Sequence, residues 1–208
     1  MIIFLVPAAI VGYLLGSLNS SLIVGKFYGI DVRKHGSGNA GTTNTLRTLG
    51  KKAALFVLAG DMLKGILAYL IGFYLSGQPI GGMIGGLSAI IGHNWPVYFG
   101  FKGGRGVLTS LAVLLMMDWK IALLLLGVFI IIVAIARYVS LGSIISAALF
   151  PVLSLILDRS IQQIILSAII GLMIIILHKD NIKRLLSGTE NKLGAKKQKD
   201  VSREDGNA

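Results

Sequence analysis

The apolar stretch VLTSLAVLLMMDWKIALLLLGVFIIIVAIA occupies residues 107–136, and the polar triplet Asp118-Trp119-Lys120 interrupts it. A transmembrane helix needs about 20 apolar residues, so this stretch is either one tilted span or two short ones. A charged interruption at the bilayer centre would be costly, which favours two helices that meet at Asp118. Whether this stretch forms one helix or two determines the predicted number of membrane crossings.

The remainder of the chain is also typical of a membrane protein. Of its 208 residues 54% are hydrophobic and 14% charged, whereas soluble domains carry about 25% charged residues. The first apolar region lacks a basic start and a cleavage site, so we predict a retained span rather than a signal peptide. Apart from 107–136, the apolar regions are 2–25, 53–75, 81–99, 139–157 and 160–178.

The distribution of charge predicts the topology. Lys and Arg residues concentrate in loop 26–52, at 102–105 and from residue 179 onward, while 76–80 contains none. Cytoplasmic loops are enriched in Lys and Arg, so the first three segments belong inside and 76–80 outside. An even number of crossings must then separate 105 from 179, which again requires the split at Asp118. We predict an all-α protein with seven transmembrane helices, two of them short, the N-terminus outside and the C-terminus cytoplasmic.

This pattern also bears on domains and partners. Residues 1–190 are predicted to form a single integral membrane domain, and the polar, charged residues 191–208 a disordered cytoplasmic tail. The net charge of +11 comes from cations beside apolar segments, so it indicates membrane lipid as a partner and not nucleic acid. The oligomeric state is left open.

Most of the polar sequence that could support chemistry lies on the predicted cytoplasmic side. The first cluster, HGSGNAGTTN at residues 35–44, is followed by Arg47. Glycines, hydroxyls, amides and cations in one loop suit a phosphate, although simple turn formation explains such a loop equally well. The second cluster contains His93 and KGGRG at 102–106, where we expect exposed backbone donors beside two cations, leading into a helix.

A third cluster begins at His178, which lies three residues before Asn181 and so shares a helix face with it. Ser140 lies in a short turn on the same predicted side. Within the second span, Asp61 and Lys64 form either a functional pair or a structural ion pair. The sequence lacks cysteine, a zinc-ligand spacing, a serine nucleophile elbow and a His-x4-Asp acyltransferase motif. We therefore expect group transfer or binding of a phosphorylated metabolite, with no metal and no cofactor.

With these clusters in view, the chain resembles the PlsY family of bacterial acyl-phosphate:glycerol-3-phosphate acyltransferases. The resemblance rests on GSGNAGTTN at 36–44 with Arg47, GHNWPVYFGFKGGRGV at 92–107, DMLKG at 61–65 and NIKRLLSGTE at 181–190. One departure is Arg105, where the family commonly has Lys. Arginine keeps the charge and binds phosphate in a bidentate manner, so we expect function to be retained.

The resemblance implies an enzyme of the bacterial inner membrane with its active site facing the cytoplasm. It would transfer a fatty acyl group from acyl phosphate to the sn-1 hydroxyl of glycerol 3-phosphate, yielding lysophosphatidic acid and phosphate for phospholipid biosynthesis. The acyl tail would lie in an apolar groove between spans. The expected catalytic residues are Lys102, Arg105, Ser140, His178 and Asn181, and the expected substrate- or phosphate-binding residues are Ser37, Gly38, Asn39, Thr43, Asn44, Arg47, His93, Gly103 and Gly104.

Two questions stay open at the level of sequence. The general base is either His178 or a phosphate oxygen of the donor, and the donor phosphate is favoured because no carboxylate is placed for the task. The main alternative function is transport of a phosphorylated metabolite. Transporters, however, usually bind substrate at mid-bilayer and have duplicated halves. A structural scaffold would leave both phosphate-type loops unexplained.

Overall fold

Glycine-rich contacts between apolar helices organise the protein. In the computed structural model, which describes residues 2–194 and the side chains from residue 3, these residues contain no β-strand. Short 3-10 turns lie at Ile2–Phe4, Val32–Lys34 and Val97–Phe99. The α-helices are α1 (Leu5–Ser17), α2 (Ser20–Phe27), α3 (Thr42–Leu49), α4 (Lys51–Ser76), α5 (Pro79–Asn94), α6 (Val107–Met117), α7 (Trp119–Ala136), α8 (Val139–Ile156), α9 (Ile161–Leu177) and α10 (Lys179–Leu186).

The break at Asp118 is present, but it divides the stretch unevenly. Helix α6 has 11 residues and is about 16 Å long, whereas α7 has 18 residues. The prediction of two short helices is therefore wrong for the second. Asp118 explains the position of the break, because its side chain accepts hydrogen bonds from the backbone N–H groups of Lys120 and Ile121 and so caps α7.

Length and composition alone identify fewer than seven spans in the described residues. Leu5–Phe27 (α1 with α2), α4, α7 and α8 are long and apolar enough to cross a bilayer, and α9 with α10 would be a fifth, bent by 58°. Helices α5, with 16 residues, and α6 are shorter. Large side chains such as Ile135 and Phe56, 80% and 70% exposed, give several helices an apolar outer surface that suits lipid.

Close contacts show how the helices run. Positions 12 and 16 of α1 lie against Gly85 and Ala89, so α1 and α5 are parallel. Gly72 of α4 lies against Gly81, and the backbone of Ala68 against Gly85, so α4 and α5 are antiparallel. Small residues four apart allow this approach of backbones within a membrane.

The second group of helices also alternates in direction. Ser146 of α8 donates a hydrogen bond to the Leu125 carbonyl of α7, while Gly142 packs on Phe129, so these helices are antiparallel. At the far end, Asp118 forms an ion pair with Arg159 at 2.6 Å. The α6–α7 break therefore lies beside the link between α8 and α9, at the end of the bundle away from the polar clusters.

The structure describes only the first four residues, 191–194, of the predicted tail. Residues 195–208 lie outside the described residues. Residues 191–194 contact the domain: the Asn191 carbonyl accepts a hydrogen bond from Arg47 at 3.2 Å, and the Leu193 N–H donates to the Arg137 carbonyl. The C-terminal segment up to Gly194 thus packs against the end of the bundle that carries the polar clusters.

Two helical glycines provide a matched test of this packing. A Cβ atom at Gly16 would lie 2.1 Å from the Ala89 carbonyl oxygen, whereas one at Gly127 would meet nothing within 4 Å. We expect Gly16→Ala to lower the free energy of unfolding by about 1–3 kcal/mol through overpacking. Gly127→Ala should be neutral or stabilise by up to about 1 kcal/mol through helix propensity. Thermal unfolding in detergent measures both, and equal behaviour would contradict the α1–α5 contact.

Candidate active site

A cavity of about 500 Å³ lies among the helices and joins a polar region to an apolar one. Segments distant in sequence meet at its polar part, which is lined by Ser37, Asn39, Thr42, Thr43, Arg47, Arg105, Ser140, His178, Asn181 and Glu190. The apolar part is lined by Leu58, Met62, Leu111, Leu114, Leu125, Leu126, Phe129, Ala147, Phe150, Ile170 and Ile174. The cavity therefore suits an amphipathic molecule with an anionic head.

Asn44 organises the first loop. Its Oδ1 accepts a hydrogen bond from the Ser37 N–H at 2.8 Å, and its Nδ2 donates to the carbonyls of Val32 and His35. Because these bonds occupy its amide, Asn44 shapes the loop, although it also borders the cavity. Gly38, with φ +72°, forms part of the turn and does not line the cavity.

The start of α3 presents donors to the same space. Its N-cap residue, Gly41, has no side chain to bond the first N–H groups of the helix. Gly41, Thr42 and Thr43 all line the cavity. An uncapped helix start favours an anion through its free N–H groups and the helix dipole, so this turn with Arg47 forms one candidate phosphate site.

The second loop differs from expectation. Gly103 and Gly104 were predicted to expose backbone donors, but their N–H groups donate to the carbonyls of Asn94 and His93 at 3.0 and 3.1 Å. Neither lines the cavity. A Cβ atom at either position would lie 2.1 Å from an atom of His93, so both glycines permit close packing on that residue.

The cavity instead meets the residues that follow these glycines. Arg105, Gly106, Val107 and Leu108 line it at the start of α6, and no side chain caps this helix either. Lys102 is exposed and is absent from the cavity wall. The second candidate phosphate site is therefore Arg105 with the first turn of α6.

A carboxylate organises the third cluster. Glu190 accepts hydrogen bonds from the Ser140 hydroxyl at 2.8 Å, the Asn181 amide at 2.7 Å and the Arg184 guanidinium at 2.7 Å. Burial opposes ionisation of Glu190, but these bonds outweigh burial and hold its pKa below the ordinary value. In this structure the predicted residues Ser140 and Asn181 are thus joined through a residue to which the sequence interpretation gave no role.

One ring nitrogen of His178 is hydrogen-bonded to the backbone. Its Nδ1 lies 2.8 Å from the Ile174 carbonyl, and a carbonyl can only accept, so the proton of the neutral ring is on Nδ1. Burial lowers the pKa of His178 to about 4, and the charge of Arg105 acts in the same direction. At neutral pH the ring is therefore uncharged, with Nε2 as a hydrogen-bond acceptor.

The cations of the cavity influence one another. Burial lowers the pKa of Arg105 to about 10, and the neighbouring Arg184 and Arg47 add to this, while Glu190 opposes it. Burial likewise lowers the pKa of Arg47. Both guanidinium groups still carry their charge at neutral pH, in surroundings that an anionic ligand would make more favourable.

The structure brings most predicted residues together and adds others. Of the predicted set, only Gly38, Lys102, Gly103 and Gly104 lie away from the cavity wall. The predicted set omits Thr42 and Glu190, which line the cavity, and Arg184, which donates a hydrogen bond to Glu190. Glu190 offered a signal, since it is a carboxylate that follows the cations Lys183 and Arg184. Within residues 2–194, no group of three or more His, Cys, Asp or Glu side chains could hold a metal ion.

Comparisons with known proteins show to which family the chain is similar. The family model described as Glycerol-3-phosphate acyltransferase matches residues 6–188. A glycerol-3-phosphate acyltransferase of Thermoanaerobacter sp. (strain X514) is 46% identical over 194 residues, covering 93% of this chain and 98% of that protein. One from Clostridioides difficile (strain 630) is 43% identical over 196 residues, covering 91% and 96%.

Solved structures show the same fold. The crystal structure of PlsY (YgiH), an integral membrane glycerol 3-phosphate acyltransferase, in its glycerol 3-phosphate form has a TM-score of 0.87 at 37% identity, covering 91% of this chain and 96% of that one. The lysophosphatidic acid form has a TM-score of 0.83 at 36% identity, covering 91% and 95%.

Proposed function

The chain belongs to the family of membrane glycerol-3-phosphate acyltransferases, and from that premise we propose that it uses acyl phosphate as donor and acylates the sn-1 hydroxyl. The products are lysophosphatidic acid and inorganic phosphate. The observation that carries the proposal is a cavity that joins two helix starts, with Arg47 and Arg105 in its wall, to an apolar compartment. Such a cavity suits two phosphorylated substrates of which one bears a fatty chain.

The two helix starts suggest how the substrates bind. Arg47 and the first turn of α3, with Ser37, Asn39 and Thr43, hold one phosphate, and Arg105 with the first turn of α6 holds the other. Helix starts and guanidinium groups both favour phosphate. Ser140, His178 and Asn181 orient the glycerol part, and the acyl chain enters the apolar compartment between α4, α6, α7, α8 and α9. Asn44 holds the shape of the first loop through its hydrogen bonds.

The transfer needs little covalent help from the protein. The sn-1 oxygen attacks the acyl carbonyl carbon, the new ester bond forms, and the bond from that carbon to the phosphate oxygen breaks. The hydroxyl proton passes to the departing phosphate, while Arg105 stabilises the phosphate charge. Acyl phosphate is already activated, so positioning and electrostatics supply most of the acceleration.

The state of His178 supports the donor phosphate as the proton acceptor. An imidazole with a pKa of about 4 is a weak base at neutral pH, and its free Nε2 is suited to accept a hydrogen bond from the glycerol hydroxyl. His178 is therefore given an orienting role. This assignment chooses between the two bases left open by the sequence.

Product analysis tests the whole proposal. Purified protein supplied with glycerol 3-phosphate and palmitoyl phosphate should form 1-acyl lysophosphatidate and one equivalent of phosphate. Palmitoyl-CoA should not replace the acyl phosphate. Formation of the 2-acyl isomer, or activity with the thioester alone, would contradict the proposal.

Substitution of His178 tests its role. We expect His178→Gln to raise the KM for glycerol 3-phosphate and to reduce kcat by less than about tenfold, because loss of a true general base typically reduces the rate by about 10²–10⁴-fold. The exposed neighbour variant Lys179→Gln should resemble the unmodified enzyme. A kcat reduced by more than about 100-fold at unchanged KM would instead make the imidazole the base.

The topology also belongs to this proposal. Seven crossings, an outer N-terminus and a cytoplasmic C-terminus place the active site at the inner face of the bacterial cell membrane. The alternating helix directions support this arrangement, since Asp118 and Arg159 meet at the end opposite the cavity's polar part. Helices α5 and α6 then cross with the support of their neighbours or of a thinned bilayer.

Cysteine labelling tests that topology directly, because the chain contains no cysteine. Lys34, Gln78, Lys102 and Asp158 are exposed and suited to single-cysteine variants. In intact cells, an impermeant maleimide should label Gln78→Cys and Asp158→Cys. Lys34→Cys and Lys102→Cys should react only after the membrane is opened. Labelling of positions 34 and 102 from opposite faces would exclude a shared site.

A further inference from the structure

A buried polar group beside the cavity has no part in the transfer described above. It consists of Asp61 and Lys64 of α4 with His93 of α5, whose exposed fractions are 1%, 5% and 4%. The Lys64 ammonium nitrogen lies 2.8 Å from the Asp61 carboxylate, 2.8 Å from His93 Nδ1 and 3.3 Å from the Leu18 carbonyl. Asp61 and Lys64 thus form an ion pair in the structure, and His93 is its third member.

These contacts determine which His93 nitrogen carries the proton. A lysine ammonium group has three donors and no acceptor, and its three neighbours here can each accept. His93 Nδ1 must therefore offer its lone pair to Lys64, which leaves the proton of the neutral ring on Nε2. The alternative, in which Nδ1–H donates to Asp61, is disfavoured because that separation is 3.6 Å, beyond ordinary hydrogen-bond length.

The protonated nitrogen of His93 packs against the loop that leads into the second phosphate site. A Cβ atom at Gly104 would lie 2.1 Å from His93 Nε2, so that nitrogen is packed on the residue preceding Arg105. His93 and Arg105 both line the cavity. The imidazole therefore lies close to the start of α6, to which we assign a substrate phosphate.

We propose that Lys64 is a positioning residue that fixes His93 as the Nε2–H tautomer, so that His93 donates a hydrogen bond to the phosphate bound beside Arg105. Asp61 holds Lys64 in its charged state, and both act only through His93. This inference rests on the proposed function, because it assigns a phosphate to the start of α6.

The tautomer can be measured without any catalytic assay. The chain has three histidines, His35, His93 and His178, so ¹⁵N-histidine NMR of the full-length protein gives few signals, and His93→Gln and His178→Gln assign them. We expect His93 to be the Nε2–H form. His178 is the internal control with the opposite form, because its Nδ1 lies against the Ile174 carbonyl. An Nδ1–H signal for His93 would overturn the proposal.

Inorganic phosphate is the probe for the second part. Titration into the unmodified protein should shift the His93 Nε2 signal, and Arg105→Met should abolish the shift. Absence of any shift in the unmodified protein at saturating phosphate would overturn the donor role. A protein that gives the expected tautomer and shift but forms no lysophosphatidate would retain this inference and lose the acyl-transfer proposal.

A paired substitution tests Lys64 itself. Removal of one member alone would leave a buried unpaired charge, which strongly destabilises proteins, so Asp61→Asn is combined with Lys64→Met. We expect His93 to lose its single tautomer and the KM for one phosphate-bearing substrate to rise about 10- to 100-fold, as for a lost hydrogen bond to a charged group. His93→Gln should show a similar rise, and adding the pair to it should have little further effect.

A merely structural role predicts a different result. In that case the paired variant would keep the His93 tautomer and the KM values and would change thermal stability alone, which would overturn the proposal. If the paired variant fails to fold, the ¹⁵N shift of His93 Nδ1 in the unmodified protein decides instead. A shift typical of a nitrogen that accepts a hydrogen bond from the Lys64 ammonium group supports the proposal, and the shift of a free imine nitrogen would overturn it.

Discussion

Replacement of Arg105 with methionine should reduce kcat/KM for acyl transfer by about 10²–10³-fold, the usual effect of removing one donor that stabilises transition-state charge. Arg105 lines the cavity at the start of α6, where its guanidinium faces the phosphate that leaves in our mechanism. Initial rates with palmitoyl phosphate and glycerol 3-phosphate, each varied in turn, measure the effect.

The lysine variant is the matched control. Arg105→Lys keeps the positive charge and loses the bidentate geometry, so we expect a decrease of less than about tenfold in kcat/KM. Equal losses in the two variants would show that geometry and not charge determines the effect. Unchanged kinetics in Arg105→Met would remove Arg105 from the site.

Stability should respond differently from activity. Burial lowers the pKa of Arg105 to about 10, which means that the folded, ligand-free protein disfavours the charged form. Arg105→Met should therefore leave the Tm unchanged or higher, as often follows when a buried charge is replaced by an apolar group. Below its pKa of about 10 the Arg105 guanidinium is charged, so the charge is fully present at neutral pH. Activity that depends on this charge should fall as the pH rises through about 10.

Replacement of Ala147 with phenylalanine should convert the enzyme to a preference for shorter donors. Ser140, Ser143, Ala147 and Phe150 lie on one face of α8 and all line the cavity. Phe150 is ten residues beyond Ser140, and therefore about 15 Å deeper. Ala147 lies between the polar part and the buried Phe150, so added bulk at 147 should shorten the space for an acyl chain.

The expected change follows from the burial of methylene groups. If three methylenes of the chain are excluded, at about 0.8 kcal/mol each, the kcat/KM ratio of palmitoyl to dodecanoyl phosphate should fall roughly 50-fold. Val152→Phe is the control, because Val152 is 43% exposed on the outer surface of the same helix. An equal decrease for both chain lengths in a folded Ala147→Phe protein would place the acyl chain elsewhere.

Some features of the fold and site could be predicted because they depend on local sequence. The length of apolar segments predicts helices, and Asp118 predicts a break because a carboxylate both disfavours the bilayer centre and caps a helix. The convergence of loop 35–44, Arg105 and Asn181 followed from placing cationic loops on one side of the membrane. These inferences require no knowledge of which helices touch.

Other features depend on partners far away in the sequence. The N–H groups of Gly103 and Gly104 are occupied by carbonyls of residues 93 and 94, which a glycine-rich pattern alone does not reveal. Asn44 is predicted from the sequence to bind phosphate, but its amide makes three hydrogen bonds within the first loop and therefore supports that loop. The position of Glu190 depends on a hydrogen bond from Ser140, which lies fifty residues earlier in the sequence. The length of α7 differs from the prediction because Asp118 divides the stretch unevenly, with 11 residues in α6 and 18 in α7.

The hydrogen bonds of Asn44 have a consequence for the speed of recognition. One side chain ties residues 32, 35 and 37 together, so hydrogen bonds within the protein hold the shape of the first loop. The conformational entropy of that loop is lost during folding and not during each encounter. A phosphorylated molecule, including a non-reactive mimic, can therefore dock there without waiting for rearrangement, and diffusion together with the field of the arginines sets its rate of arrival.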